Sequence, residues 1–84
     1  MQPVQNQLIY RFPRREDEEI HFTLRVLESG ATFIDVRIWS RPNQESPFIP
    51  TRKGLWVRLN QVHELKKGVQ TLIEVLQNQI HSKP

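Results

Sequence analysis

Residues 20–39, IHFTLRVLESGATFIDVRIW, decide the fold of this 84-residue chain. Apolar and polar residues alternate on both sides of Gly30, which is the pattern of two half-buried strands. A glycine between two alternating runs that lie so close together indicates a hairpin turn. The two strands therefore share one aliphatic face, and their other face carries basic, aromatic and polar side chains.

The chain after this hairpin first loses its alternation and then regains it. Residues 40–52 contain three prolines, which exclude a helix and restrict any strand there to a short or edge position, such as residues 48–49. Alternation returns at residues 55–57, where Trp56 belongs to the face opposite the aliphatic one. Four strands are thus expected, and the third is the shortest.

From about Arg58 the apolar period becomes 3.6, with Asn60 as the alternative helix start that capping favours. About 22 helical residues would span about 33 Å, which exceeds the roughly 25 Å of the strands. The fold class is therefore α+β, a four-stranded antiparallel sheet with a long C-terminal helix that overhangs it and offers apolar surface to a second subunit. The residues predicted for this homodimer interface are Val69, Ile73, Val75 and Leu76.

Residues 1–19 differ in composition from the rest of the chain. They are polar and end in a run of mixed charge, so we expect an N-terminal arm with at most a short strand, followed by a domain over residues 20–84. Twelve Lys and Arg against nine Asp and Glu give a net charge of +3. The arm holds three bases and four acids, while the domain holds nine bases and five acids. The basic excess of the domain weakly favours a polyanionic partner.

Composition excludes several classes of protein. The chain has no cysteine, which excludes thiol catalysis, thiolate zinc sites and iron–sulfur clusters. It has neither an apolar run of about 18 residues nor a signal-peptide pattern, so we expect an intracellular protein without a membrane partner. His21, His63 and His81 are scattered, and no phosphate-binding glycine motif is present. We therefore predict that the protein is not an enzyme and has no cofactor and no metal site.

The face of the sheet opposite the helix carries aromatic rings between positive charges. Rings stack with unpaired bases while cationic groups meet phosphates, so this pattern is typical of surfaces that bind single-stranded nucleic acid. The predicted contacts are Arg25, Arg37, Trp39, Arg52, Lys53 and Trp56. On alternation alone a structural alternative has equal weight: the rings pack against one another or under the arm, and the strand arginines pair with Asp35 or Glu28.

Two blocks of the sequence resemble a known family. Residues 33–39, FIDVRIW, resemble a strand of the positive cofactor four family of transcriptional coactivators, and residues 50–57, PTRKGLWV, resemble the family's next strand. Residues 63–66, HELK, contain the Leu-Lys pair of the family's helix. The spacing between the blocks matches with almost no gap, and the likeness covers about residues 20–76.

The resemblance implies a dimer formed largely through the helices and binding of single-stranded DNA without sequence preference. It assigns contacts with the DNA backbone to Arg37 and Lys53. Trp39 falls one position before the family's stacking tryptophan, whose place is taken by Ser40. The aromatic residue and lysines of the family's hairpin are missing at residues 28–31, and Trp56 is expected to replace the aromatic.

Two functions from different classes follow as expectations. The first is a homodimeric single-stranded DNA-binding protein that acts in transcription, or in replication or repair, with RNA as an alternative ligand. The second is a protein–protein interaction module on the same fold, which would use the proline-rich residues 40–52 and the aromatic face to hold another polypeptide.

Overall fold

The computed structural model describes residues 3–82 and, within them, the side chains of residues 5–79. The elements are β1 (Pro3–Arg15), β2 (Glu18–Leu27), β3 (Thr32–Ser40), β4 (Ile49–Arg58), a 3-10 turn (Leu59–Gln61) and α1 (Val62–Ser82). The strands form one antiparallel sheet in the order β1-β2-β3-β4. The predicted α+β class, a four-stranded antiparallel sheet with one C-terminal helix, is confirmed.

The first of these strands was expected to be an arm. β1 is thirteen residues long, and it pairs with β2 from end to end. A register shift marks a bulge at Ile9, so Leu8 lies opposite Thr23 on one face while Tyr10 lies opposite Phe22 on the other. The bulge interrupts the period-two pattern and hides the strand from a search for alternation. Residues 3–15 are thus part of the sheet rather than a separate arm.

β4 joins two segments that the sequence pattern separates. Residues 48–49 and 55–57 were expected to form two strands, whereas the structure has one continuous strand. Pro50 is tolerated because β4 is an edge strand, where a missing N–H breaks no ladder. The register with β3 shifts between Arg37 and Trp39. The residues of β4 that lie in this bulge include Arg52 and Lys53.

α1 follows the 3-10 turn and begins at Val62, a few residues after both predicted starts. Its apolar stripe stays exposed: Val69, Leu72, Ile73 and Leu76 keep between 40% and 56% of their surface accessible. The first turns of α1 and the aliphatic face of the sheet line a cleft of about 330 Å³. Most of this apolar stripe therefore packs against no other part of the chain that the structure describes.

In most sheets the apolar face is buried and the polar face is exposed, but in this single chain the polar face is the more buried of the two. Among the described residues, Val57 is the one apolar side chain that counts as buried. On the opposite face, His21, Thr23 and Asp35 are each at most 7% exposed. The polar side chains therefore pack well within a single chain, whereas the aliphatic side chains do not.

The dimensions of the chain agree with this open aliphatic face. The radius of gyration is 16.1 Å, against about 12 Å for a compact domain of this length. The accessible surface is 6860 Å², which is about 1,600 Å² more than a compact monomer of this mass exposes. A single copy thus leaves a large surface that a compact domain would bury.

Candidate nucleic-acid interface

One face of the sheet, called the polar face below, collects most of the side chains that the sequence assigns to ligand binding. Cross-strand register aligns them in rows. The members of the polar face include Asn6, Leu8, Arg11, Pro13, Glu19, His21, Thr23, Arg25, Phe33, Asp35, Arg37, Trp39, Pro50, Gly54, Trp56 and Arg58. Four of the six predicted contact residues lie on this surface. The other two, Arg52 and Lys53, lie in the β4 bulge at its edge.

Asp35 is the most buried residue of the polar face, with 1% of its surface exposed. Its carboxylate accepts a hydrogen bond from Nε of Arg25 at 2.8 Å and from Nε of Arg37 at 3.1 Å. The two arginine side chains are 15% and 17% exposed. The ion pairs that the sequence offered as a structural alternative are thus present, and Asp35 rather than Glu28 is the partner.

The two arginines nevertheless keep part of their hydrogen-bonding capacity. Nη1 of Arg25 donates to Oδ1 of Asn6 at 2.6 Å, and Nη1 of Arg37 donates to the carbonyl oxygen of Thr51 at 2.9 Å. The remaining amino group, Nη2, has no hydrogen-bond partner among the described residues in either case. Each guanidinium is therefore oriented by the protein while its Nη2 amino group stays free for an anion such as phosphate.

Gly54 lies opposite Arg37 and leaves no room for a side chain. A Cβ atom at position 54 would lie 2.7 Å from the carbonyl oxygen of Val36 and 2.9 Å from both Cα and Cβ of Arg37. Because these neighbours are mostly backbone, they cannot move aside without bending β3. The close approach of the two strands thus requires glycine at this position.

We expect Gly54→Ala to lower the free energy of unfolding by about 1–3 kcal/mol through this overlap. Urea unfolding followed by tryptophan fluorescence measures the change. Gly68→Ala is the matched control, because a Cβ at position 68 meets no atom within 4 Å and alanine favours the helix by about 0.5–1 kcal/mol. If Gly54→Ala unfolds at the same urea concentration as the parent protein, the close approach at Gly54 is contradicted.

Trp39 is half-buried and stacks with a neighbouring ring of the polar face. The centroid of its ring lies 4.5 Å from that of His21, and the two planes differ by 16°. Nε2 of His21 in turn lies 2.9 Å from Oε1 of Glu19. Nε1 of Trp39 is buried and has no hydrogen-bond partner among the described residues. His21 therefore already covers one side of Trp39, which leaves less of this ring for a base.

Trp56 offers the most accessible aromatic ring of the polar face, with 42% of its surface exposed. It packs on Phe33 with ring centroids 5.1 Å apart. The guanidinium carbon of Arg25 lies 5.8 Å from the Trp56 ring, and that of Arg58 lies 5.7 Å from Phe33. Rings supported from below and flanked by cations form a stacking platform for bases.

Arg58 is a member of this platform that the sequence reasoning missed. The change of period near residue 58 assigns it to the start of the helix, whereas the structure makes it the last residue of β4. Its spacing of two from Trp56 is the signal that could have placed it on the same face.

Arg52 and Lys53 are exposed residues of the β4 bulge. Neither side chain forms an ion pair or a hydrogen bond with another described residue. Their charges are therefore available to a ligand, unlike those of most other arginines. Lys53 lies three residues from Trp56 and Arg52 lies four residues from it, so the platform and the free cations are neighbours along one strand.

The acidic run is divided between the turn that follows β1 and the start of β2, where Glu19 lies on the polar face. Glu16 and Asp17 form the turn between β1 and β2, and there they hold Arg41, whose Nε donates to Oδ1 of Asp17 at 3.3 Å. The guanidinium carbon of Arg41 also lies 4.4 Å from the ring of Phe48. These contacts hold the loop between β3 and β4 in place, so the Arg41 guanidinium stabilises the fold and is less available to a ligand.

Neither a metal-binding cluster nor a membrane-spanning helix is found in the residues that the structure describes. No three His, Asp or Glu side chains among them form a group that could hold a metal ion. The described helix is not apolar enough over a sufficient length to cross a lipid bilayer.

Comparison of the chain with protein-family models, with curated proteins and with solved structures finds no match in any of the three. The resemblance to the positive cofactor four family is therefore supported by the quoted sequence blocks alone. The geometry of the polar face is the main observation that bears on function.

Proposed function

We propose that this protein is a homodimer that binds single-stranded DNA on the polar face of each sheet, without strong sequence preference. The observation that carries the proposal is the exposed Trp56 ring, supported by Phe33 and flanked by Arg25 at 5.8 Å. Unpaired bases stack on such a ring, whereas the bases of a duplex are already stacked with one another. Single strands are therefore the favoured ligand.

Phosphate contacts come from two kinds of cation in this proposal. Arg25 and Arg37 are held in place by Asp35 and offer Nη2, while Arg52 and Lys53 are free of protein partners among the described residues. Oriented guanidinium groups bind phosphate with little loss of side-chain freedom. About four phosphates neutralised on a single strand correspond to a salt slope of about −3.

The dimer is proposed from the uncovered apolar surface. The predicted interface residues Val69, Ile73, Val75 and Leu76 are 40–50% exposed in the single chain. The surplus surface of about 1,600 Å² in each copy corresponds to an interface of about 3,200 Å² in a pair, which falls within the range of obligate homodimers. Association through the helices and the aliphatic faces leaves both polar faces accessible to DNA.

Binding is tested by fluorescence anisotropy with a labelled single strand of about 20 nucleotides, the matching duplex and an RNA strand of the same sequence. We expect the single strand to bind in preference to the duplex. Its affinity should fall roughly 50-fold between about 50 and 200 mM salt, as four phosphate contacts require. Equal affinity for the duplex, or no binding to any of the three, would contradict the proposal.

Trp56→Ala should weaken binding of the single strand by about 5- to 150-fold, because one stacked base contributes about 1–3 kcal/mol. The same anisotropy titration measures the loss, and the salt slope should stay unchanged because no charge is removed. Phe48→Ala is the control: this ring lies in the loop between β3 and β4, where it packs on Arg41, and belongs to neither face of the sheet. If Phe48→Ala weakens binding as much as Trp56→Ala does, the platform is not the site.

A further inference from the structure

The polar face contains a pocket beside the Trp56 platform that the proposed function does not yet use. It lies over β2, between residues of β1 and a residue of β3, and has a volume of about 270 Å³. The residues that line it are Asn6, Leu8, His21, Thr23, Arg25 and Trp39. Three strands thus build it, and the bulge at Ile9 places the β1 residues on the correct face.

The size and surroundings of the pocket select a small flat ligand. Its volume lies below the range of about 300–1,000 Å³ that is usual for drug-sized molecules. Two of the lining side chains, His21 and Thr23, are 6% and 7% exposed, so the pocket has a buried polar floor. Arg25 lines the pocket and also approaches Trp56. When one base of a strand stacks on Trp56, the base of the neighbouring nucleotide can therefore reach the pocket.

The hydrogen-bonding groups that remain free on the walls are mainly donors. Oδ1 of Asn6 accepts from Nη1 of Arg25 at 2.6 Å, which leaves the Asn6 amino group, a donor, without a described partner. The Thr23 hydroxyl has no described partner either, and Nε1 of Trp39 is a buried donor that lacks one. Asn6 is exposed, so its free amino group is open to an acceptor on a ligand, whereas the buried Nε1 of Trp39 is not.

An apolar side chain lies next to the Asn6 donor. Leu8 is two residues further along β1 on the same face, opposite Thr23. Thymine presents a carbonyl oxygen, O4, beside its 5-methyl group, whereas cytosine presents an amino donor and no methyl group at these positions. A donor beside an apolar contact matches thymine, and an amino group of cytosine would face the Asn6 amino group instead.

We propose that this pocket receives one unstacked thymine base, whose O4 accepts from the Asn6 amino group and whose methyl group contacts Leu8. The inference rests on the proposed binding of single-stranded DNA, to which it adds a local preference for thymine. Affinity for most of the strand still comes from stacking and phosphate contacts.

The test compares oligothymidylate, oligodeoxyuridylate and oligodeoxycytidylate of about 20 nucleotides in anisotropy titrations. One added hydrogen bond predicts that the parent protein binds oligothymidylate about three- to tenfold more tightly than oligodeoxycytidylate. Oligodeoxyuridylate, which lacks the methyl group, should fall between them. Asn6→Asp keeps the acceptor for Arg25 but exchanges the donor for an acceptor, so it should reverse the order and favour oligodeoxycytidylate.

Asn43→Asp is the matched control, since it makes the same substitution in the loop between β3 and β4, where Oδ1 of Asn43 accepts from the backbone N–H of Glu45 and from the Ser46 hydroxyl. It should lower both affinities slightly and leave their ratio unchanged. An unchanged ratio in Asn6→Asp, or an equal change in Asn43→Asp, overturns the pocket assignment. Absence of binding of all three strands to the parent protein would instead overturn the proposed function itself.

Discussion

Replacement of Ile73 by glutamate is expected to dissociate the proposed dimer and to unfold the separated chains. Ile73 is 40% exposed in the single chain and lies in the centre of the apolar stripe of α1. Because the substitution occurs twice in a symmetric pair, loss of apolar burial alone costs about 3 kcal/mol or more, and the dissociation constant rises at least about 100-fold. Sedimentation velocity measures the mass, and near-ultraviolet circular dichroism reports the loss of packing.

Thr71→Glu is the control for this variant. Thr71 lies on the opposite side of α1 and is exposed, so the same charge is added without contact with the apolar stripe. It should sediment as the parent protein does. If Ile73→Glu also sediments with the mass of a dimer and keeps its dichroism, the helix does not form the interface.

Asp35→Ala is expected to destabilise the protein by about 3–5 kcal/mol, because it leaves two half-buried guanidinium groups side by side without a counter-charge. Asp35 lies 2.8 Å from Arg25 and 3.1 Å from Arg37, so its carboxylate is the negative charge that both arginines share. Urea unfolding monitored by tryptophan fluorescence should show a lower midpoint with a similar slope.

Two further variants distinguish this effect from a general loss of negative charge. Glu28→Ala removes the same charge from an exposed hairpin position and should change the unfolding free energy by at most about 0.5 kcal/mol. Asp35→Asn keeps the shape and one acceptor, so its cost should lie between the other two. An Asp35→Ala midpoint equal to that of Glu28→Ala would show that the ion pairs of Asp35 with Arg25 and Arg37 contribute nothing to stability.

The helix and the central hairpin are predictable from sequence because each repeats one period over many residues. The 3.6-residue pattern of α1 is uninterrupted, and β2 and β3 pair without a register shift. β1 and β4 are edge strands with bulges. Each bulge of β1 moves the following residues to the other face, whereas the bulge of β4 places residues 51–53 opposite Ile38 and leaves Pro50 and Gly54 on the same face. Neither strand is therefore one regular alternation in the sequence, although both are continuous in the structure.

The same bulges limit how much of the site is predictable. Arg25, Arg37, Trp39 and Trp56 follow from alternation alone, and the structure places them on one face. Asn6 does not follow, because the face of a β1 residue is unknown until the bulge is located. Sequence also leaves open which carboxylate holds the strand arginines, since only the cross-strand register brings Asp35 between them.

Both edges of the sheet are poor templates for a further strand. β1 carries three register shifts and Pro13, and β4 carries Pro50 and a bulge. Irregular backbone, proline and positive charge at an edge prevent the in-register pairing that builds fibrils. The proposed association of copies therefore uses faces rather than edges, and association through a self-complementary face ends at a closed pair. A filament that grows strand by strand is the assembly that these edges exclude.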